Sequence, residues 1–151
     1  METKSDTSDR EIKLSRVLNA PVDLVWEVWT DPDHLKNWWG PDGFTNTISA
    51  LEIRNGGNFN LIMHGPDGTD YRNESKFIEV IEHRKLVYQH DTGPKFIATI
   101  NFEPQGEKTL LIWTMLFPTR EILEQTVKTF NAKEGMKQNF EKLERYVEAQ
   151  K

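Results

Sequence analysis

The sequence predicts an α+β fold: a curved antiparallel sheet of six to seven strands wrapped around a long C-terminal helix, with two short helices between the first and second strands. Three observations carry this. From Thr47 to Phe117 apolar and polar residues alternate in short runs separated by turn residues, the pattern of an antiparallel sheet. After Pro118 the period becomes helical, and Met136, Phe140, Leu143 and Val147 form one continuous stripe. Near the start, two short helical patterns interrupt the strand pattern. Such a sheet needs one face covered, and the terminal helix is the one large amphipathic element available. If the sheet curls around that helix, the pair encloses an interior and the early helices plug one end.

Each element follows from its own stretch. Residues 1–10 read as a polar, frayed tail, leaving 11–151 as a single domain. From Glu11, the residues Ile12, Leu14 and Leu18 share one parity against Glu11, Lys13 and Ser15, which gives a half-buried first strand. Arg16 breaks the apolar parity, as expected of a twisted strand or one near an edge. In "APVDLVWEVWT", Val22, Val25, Trp26 and Trp29 recur at helical spacing behind Pro21, which suits the first helical position. "DPDHLKNWWGP" frames a second helix: Asp31 as N-cap, Pro32 at the first position, Gly40 past the end and Pro41 as the stop. Neighbouring residues on a helix point about 100° apart, so Trp38 and Trp39 are not expected in one tight core contact.

The sheet then runs through "TISALEIR", the turn "NGG", "NFNLIMHG", the turn "GPDG", "TDYRNESKFIEV", "LVYQH", "KFIATINFE" and "TLLIWTMLF". Tyr71, Asn73, Ser75 and Phe77 should face inward, because Arg72, Glu74 and Lys76 belong in water. Phe96, Ala98, Ile100 and Phe102 share another inward face. The last strand is apolar on both parities, as in a central strand whose outer face is covered by the first helix or by a second copy of the chain. A homodimer is therefore allowed. "TREILEQTVKTF" reads as a short helix leading into the terminal one. Gly135 inside that helix costs about 1 kcal/mol against alanine, so it either permits a close approach or marks a junction.

Bulk properties narrow the function. The 151 residues carry a formal net charge of −5, with 36% apolar and 11% aromatic residues. No block of basic residues offers a footprint for nucleic acid or an anionic membrane. With no cysteine, thiol nucleophiles, iron–sulfur clusters and cysteine-based zinc sites are excluded. No hydrophobic signal region or long apolar run occurs, so the cytoplasm is the expected compartment. Asn73-Glu74-Ser75 matches a glycosylation sequon without the secretory signal that would make it a used site.

The histidines, His34, His64, His83 and His90, show no metal-ligand spacing; they read as surface or strand-end residues, with His64 and His90 near a rim. No GxSxG elbow or glycine-rich phosphate loop is present, so no catalytic residue, metal or cofactor is assigned.

The "APVDLVWEVWTDPDHLKNWWGPDGF" stretch, the "GGNFNLIMHGPDG" hairpin, "FIEVIEHRKLVYQ" and the terminal "EGMKQNFEKLERYVE" together resemble the family named for the activator of the ninety-kilodalton heat-shock chaperone's ATPase. That family lies within the START-like (SRPBCC) superfamily of helix-grip folds, which includes birch-pollen-allergen-like and polyketide cyclase-like proteins. The resemblance implies a cavity between sheet and long helix that holds an apolar molecule. The residues expected to line it are Trp38, Trp39 and Phe44 near the second helix; Phe59, Leu61 and Met63; Tyr71, Asn73 and Phe77; Tyr88; Phe96; Trp113 and Met115; and Met136 and Phe140 on the terminal helix. One tryptophan is expected to pack down onto the first helix while the other lies across the open end. An apolar lining with a few polar groups suits a small-molecule site, although the same residue types also make a filled core. The expected function is binding or carriage of a small hydrophobic ligand. The alternatives are a cyclase-, aromatase- or hydrolase-like enzyme acting on such a ligand, and a chaperone-linked interaction module.

Overall fold

A computed structural model describes residues 8–151. The expected tail falls mostly outside that range; Ser8–Arg10 form one turn of 3-10 helix, and the Arg10 Nη1 donates to the Phe117 carbonyl at 2.8 Å. The chain then runs β1 (Glu11–Leu18), α1 (Val22–Thr30), α2 (Pro32–Leu35), β2 (Thr45–Leu51), β3 (Asn58–His64), β4 (Asp70–Ile81), β5 (Lys85–His90), β6 (Phe96–Gln105), β7 (Lys108–Leu116), α3 (Arg120–Phe130) and α4 (Ala132–Ala149). The seven strands form one antiparallel sheet in the order β1-β7-β6-β5-β4-β3-β2. This is the fold the alternation and the terminal stripe predict.

The sheet bends where an extra residue enters a strand, between Ile48 and Ala50 on β2 and between Phe77 and Glu79 on β4. Its concave face carries Phe59 and Leu61 on β3, Ser75 and Phe77 on β4, Leu86 and Tyr88 on β5, Ala98, Ile100 and Phe102 on β6, and Leu111 and Trp113 on β7, all buried. Met136, Phe140, Leu143 and Val147 of α4 are buried against that side. Arg16 is explained by the same packing. It sits on the inward parity of the edge strand β1, where its Nε lies 3.5 Å from Glu144 and its guanidinium 5.8 Å from the Phe140 ring centroid, so α4 supplies both a countercharge and an aromatic face.

The first helix lies on the concave side as well: Trp26 meets Phe102 and Trp29 meets Trp113 edge-on, at 5.0 Å between centroids in each case. The expectation that α1 covers the outer face of β7 is therefore corrected. Leu110, Ile112 and Leu116 on that outer face are half-buried by their neighbours in the sheet. Val17 of β1, paired with Leu110, remains 50% exposed.

Short polar contacts set the helix ends. Asp31 Oδ1 accepts from the Asp33 amide at 2.9 Å, which confirms the predicted N-cap. Thr119 caps α3 through the Ile122 amide at 3.1 Å. Asn131, at φ +54°, ends α3 and opens α4 with no linker.

Candidate functional site

The α2–β2 connection is fastened to α4. Asn139 is buried there; its Nδ2 donates to the Trp38 carbonyl at 2.7 Å and its Oδ1 accepts from the Gly40 amide at 3.1 Å. Gln138 Oε1 accepts from the Asp42 amide, and Lys142 Nζ donates to the Pro41 carbonyl. From the sheet side, Asn46 Nδ2 donates to the Trp39 carbonyl at 2.8 Å. Gly40, at φ +93°, makes the turn, although the helix it was expected to close already ends at Leu35 with Lys36 as its cap.

This fastening places both tryptophans inside the protein. Trp38 is fully buried and donates through Nε1 to the Val28 carbonyl at 2.9 Å; Trp39 is buried beside it, 5.7 Å between ring centroids. Trp29 lies 4.7 Å from Trp38 and 5.9 Å from Trp39, and Trp39 lies 5.5 Å from Trp113. The expectation that the two rings are kept apart, one of them spanning the open end, is thus overturned. The cause is backbone geometry. The helix stops at Leu35, so Trp38 and Trp39 sit on turns where the 100° rule does not apply.

Between the sheet and the α3–α4 junction lies a cavity of about 730 Å³. Trp39 and Phe44 line it from the α2–β2 connection, Phe59, Leu61 and Met63 from β3, Tyr71 and Asn73 from β4, Tyr88 from β5, Phe96 from β6, Trp113 and Met115 from β7, and Met136 from α4. The structure thus brings these sequence-predicted residues around one hollow. Trp38, Phe77 and Phe140 are not part of its wall. Trp38 lies behind Trp39, Phe77 stacks against Phe59 at 5.6 Å, and Phe140 packs under Trp113. The mouth is marked by Tyr71 on one rim and by Phe130, 54% exposed, on the other.

The middle of the concave face is polar. Ser75 on β4 pairs with His90 on β5, one step from the Phe77–Tyr88 pair. His90 is 6% exposed, so its assignment to a rim is corrected. It occupies the inward parity shared by Leu86 and Tyr88, a signal present in the sequence. Its Nδ1 lies 2.8 Å from the Pro94 carbonyl and therefore donates to it. Its Nε2 lies 2.6 Å from Asn73 Oδ1 and 3.3 Å from Thr92 Oγ1. Phe96 stacks on the ring at 4.6 Å. Burial pushes the imidazole below the ordinary histidine range, against the opposing pull of the Pro94 carbonyl and the Asp91 charge. Tyr88 is 4% exposed, and burial pushes its phenol well above the usual tyrosine value.

The other histidines have local roles. His64 pairs with Asp70 at 2.7 Å, and His83 lies at φ +62° beside Trp26. Among the described residues, Glu27, Asp31 and His34 bring one ligand atom each within 4.8 Å. Two of these side chains also have local roles: His34 Nδ1 meets the Tyr146 hydroxyl at 2.7 Å and Asp31 Oδ1 caps α2.

With this geometry in place, comparison with known proteins is decisive for kinship. Residues 19–148 match the family described as activator of Hsp90 ATPase homolog 1-like protein. The chain belongs to that family. Among solved structures, a solution structure of a protein from Arthrobacter aurescens shares 25% identity at a TM-score of 0.86, covering 97% of this chain and 90% of the other. A crystal structure of a protein from Nitrosomonas europaea shares 24% identity at a TM-score of 0.85, covering 95% and 97%. DynU16, from the dynemicin biosynthetic locus, is 21% identical at a TM-score of 0.71 and covers 94% of this chain but 48% of its own. No curated protein matches. The helix-grip fold is therefore shared with these solved proteins at low identity, and no described helix of this chain is long and apolar enough to cross a membrane.

Proposed function

We propose that this protein binds or carries a small hydrophobic molecule in the cavity between its sheet and α4. The observation that carries the reading is the hollow of about 730 Å³, walled by Trp39, Phe59, Leu61, Met115 and Met136 and joined to solvent at a mouth. Its volume lies in the range of about 300–1,000 Å³ typical of small-molecule sites. Binding accounts for the polar middle better than catalysis does. His90, the base among the buried lining groups, has both ring nitrogens engaged by Pro94, Asn73 and Thr92. The family's helix-grip fold is consistent with this use.

The test is titration with the uncharged dye N-phenyl-1-naphthylamine, whose emission rises in apolar surroundings, together with native mass spectrometry of protein purified from its own host. Saturable dye binding that Met115→Trp weakens is the expected result, because the larger ring takes up part of the hollow and reshapes its wall. Binding unchanged in that variant would place the dye elsewhere and defeat the reading.

A further inference from the structure

The polar middle of the cavity has one feature that the fold does not explain. Tyr88 is 4% exposed, yet its hydroxyl makes no hydrogen bond with any described residue. Its ring is held by Phe59, Phe77 and Phe96 at 5.2, 6.3 and 6.3 Å. The hydroxyl is also not sealed off: among the described residues the fully enclosed, unpartnered side-chain atoms are Trp29 Nε1, Asn46 Oδ1 and Trp113 Nε1. Since Tyr88 lines the cavity, the free hydroxyl opens onto it. Ser75 repeats the pattern: it is buried, it lines the cavity, and its hydroxyl makes no hydrogen bond with any described residue. A buried polar group without a partner is destabilising, so two on one patch point to a partner that arrives from outside.

The geometry points to an uncharged, largely aromatic guest carrying a carbonyl or ether oxygen that accepts a hydrogen bond from Tyr88, with Ser75 beside it. This deepens the binding reading above and rests on it. Four features select that chemistry. Burial keeps the phenol protonated, so it is a donor at any physiological pH. His90 and Asn73, next along the same strands, each already serve a backbone carbonyl, Pro94 for the His90 Nδ1 and Tyr71 for the Asn73 Nδ2. Among the described residues, no lysine or arginine lines the polar middle to receive a carboxylate or phosphate. Among the described lining residues the single arginine or lysine, Arg72, is at the rim and pairs with Glu74 at 2.9 Å. The other rim charges, Asp42, Asp70 and Glu134, are acidic and repel anions. The aromatic walls, with Trp39 and Trp113 at 5.5 Å and Tyr88 edge-on to Phe59, suit a flat ring system.

The experiment uses three probes of one shape: 2-acetylnaphthalene, 2-ethylnaphthalene and 2-naphthoate, titrated by calorimetry into the full chain and into Tyr88→Phe, with thermal melts confirming that the variant folds. The ketone is expected to bind wild type about five- to tenfold more tightly than the hydrocarbon, one hydrogen bond's worth, and the naphthoate at least about tenfold more weakly than the ketone. In Tyr88→Phe the order should reverse: the ketone, its carbonyl now unpaired, should bind more weakly than the hydrocarbon, which no longer covers an unpaired phenol and binds at least as well as to wild type. If the hydrocarbon binds but the ketone gains nothing, or if the naphthoate matches the ketone in wild type, the acceptor proposal is overturned while the cavity reading stands. If none of the three binds, both fall.

Discussion

Asn139 on α4 holds Trp38 through its backbone: the side-chain amide donates to the Trp38 carbonyl at 2.7 Å and, with its oxygen, takes the Gly40 amide at 3.1 Å. One side chain thus satisfies a donor and an acceptor of a turn that no helix or strand serves. Replacing Asn139 by alanine strands both groups in a buried place and is expected to destabilise the fold by about 2–4 kcal/mol. Urea unfolding of the variant measures this. A loss below about 0.5 kcal/mol would mean that the turn is held by other contacts.

Two glycines are expected to respond in opposite ways to alanine. A Cβ at Gly135 would meet Pro41 Cγ at 3.7 Å, ordinary contact, so the helix gains and Gly135→Ala should stabilise by up to about 1 kcal/mol. At Gly57 the added atom would overlap the Glu52 carbonyl oxygen, so Gly57→Ala should lower stability by about 1–3 kcal/mol. Thermal melts of the pair, run side by side, decide both signs. The sequence left Gly135 open between a close approach and a junction, and the structure gives neither a clash nor a positive φ there.

Acid should weaken the fold through His90. Its imidazole titrates below the ordinary histidine value because burial disfavours the charged ring. The unfolded chain therefore takes up a proton from about pH 6.5 downward while the folded chain resists it. The contribution is fully present above that point, declines as pH falls toward the lower folded value, and levels off below it. In His90→Gln this part of the slope between neutral and mildly acidic pH should disappear, whatever the variant's absolute stability. Urea midpoints at several pH values compare the slopes; parallel curves would contradict the assignment.

Trp38→Phe should cost about 2–4 kcal/mol, since it both opens space in a fully buried site and orphans the Val28 carbonyl that Nε1 serves. The same substitution at Trp39 should weaken dye binding more than Trp38→Phe does, because Trp39 alone of the two lines the cavity. Equal effects on binding would contradict that arrangement.

The strands and their inward faces were readable because a pleat has period two and Tyr71, Asn73, Ser75 and Phe77 obey it until the bulge after Phe77. The terminal stripe was readable for the same kind of reason at period 3.6. The tryptophans were misplaced because a local rule was extended past the last helical residue, Leu35, into a turn whose shape depends on Asn139 roughly a hundred residues later. His90 was readable in principle from its parity with Tyr88. What the pattern could not carry is the spacing between sheet and α4: the same Phe, Met and Trp residues fill a space or surround one, and only the distance between their backbones decides which.

The bolting of residues 38–42 onto α4 has a consequence for traffic. Asn139, Gln138 and Lys142 tie that side to the rod, and Asn46 ties it to the sheet, so it acts as a fixed gatepost. If a guest binds as proposed, it passes on the opposite side of the opening, where Phe130 stands exposed just before the Asn131 corner.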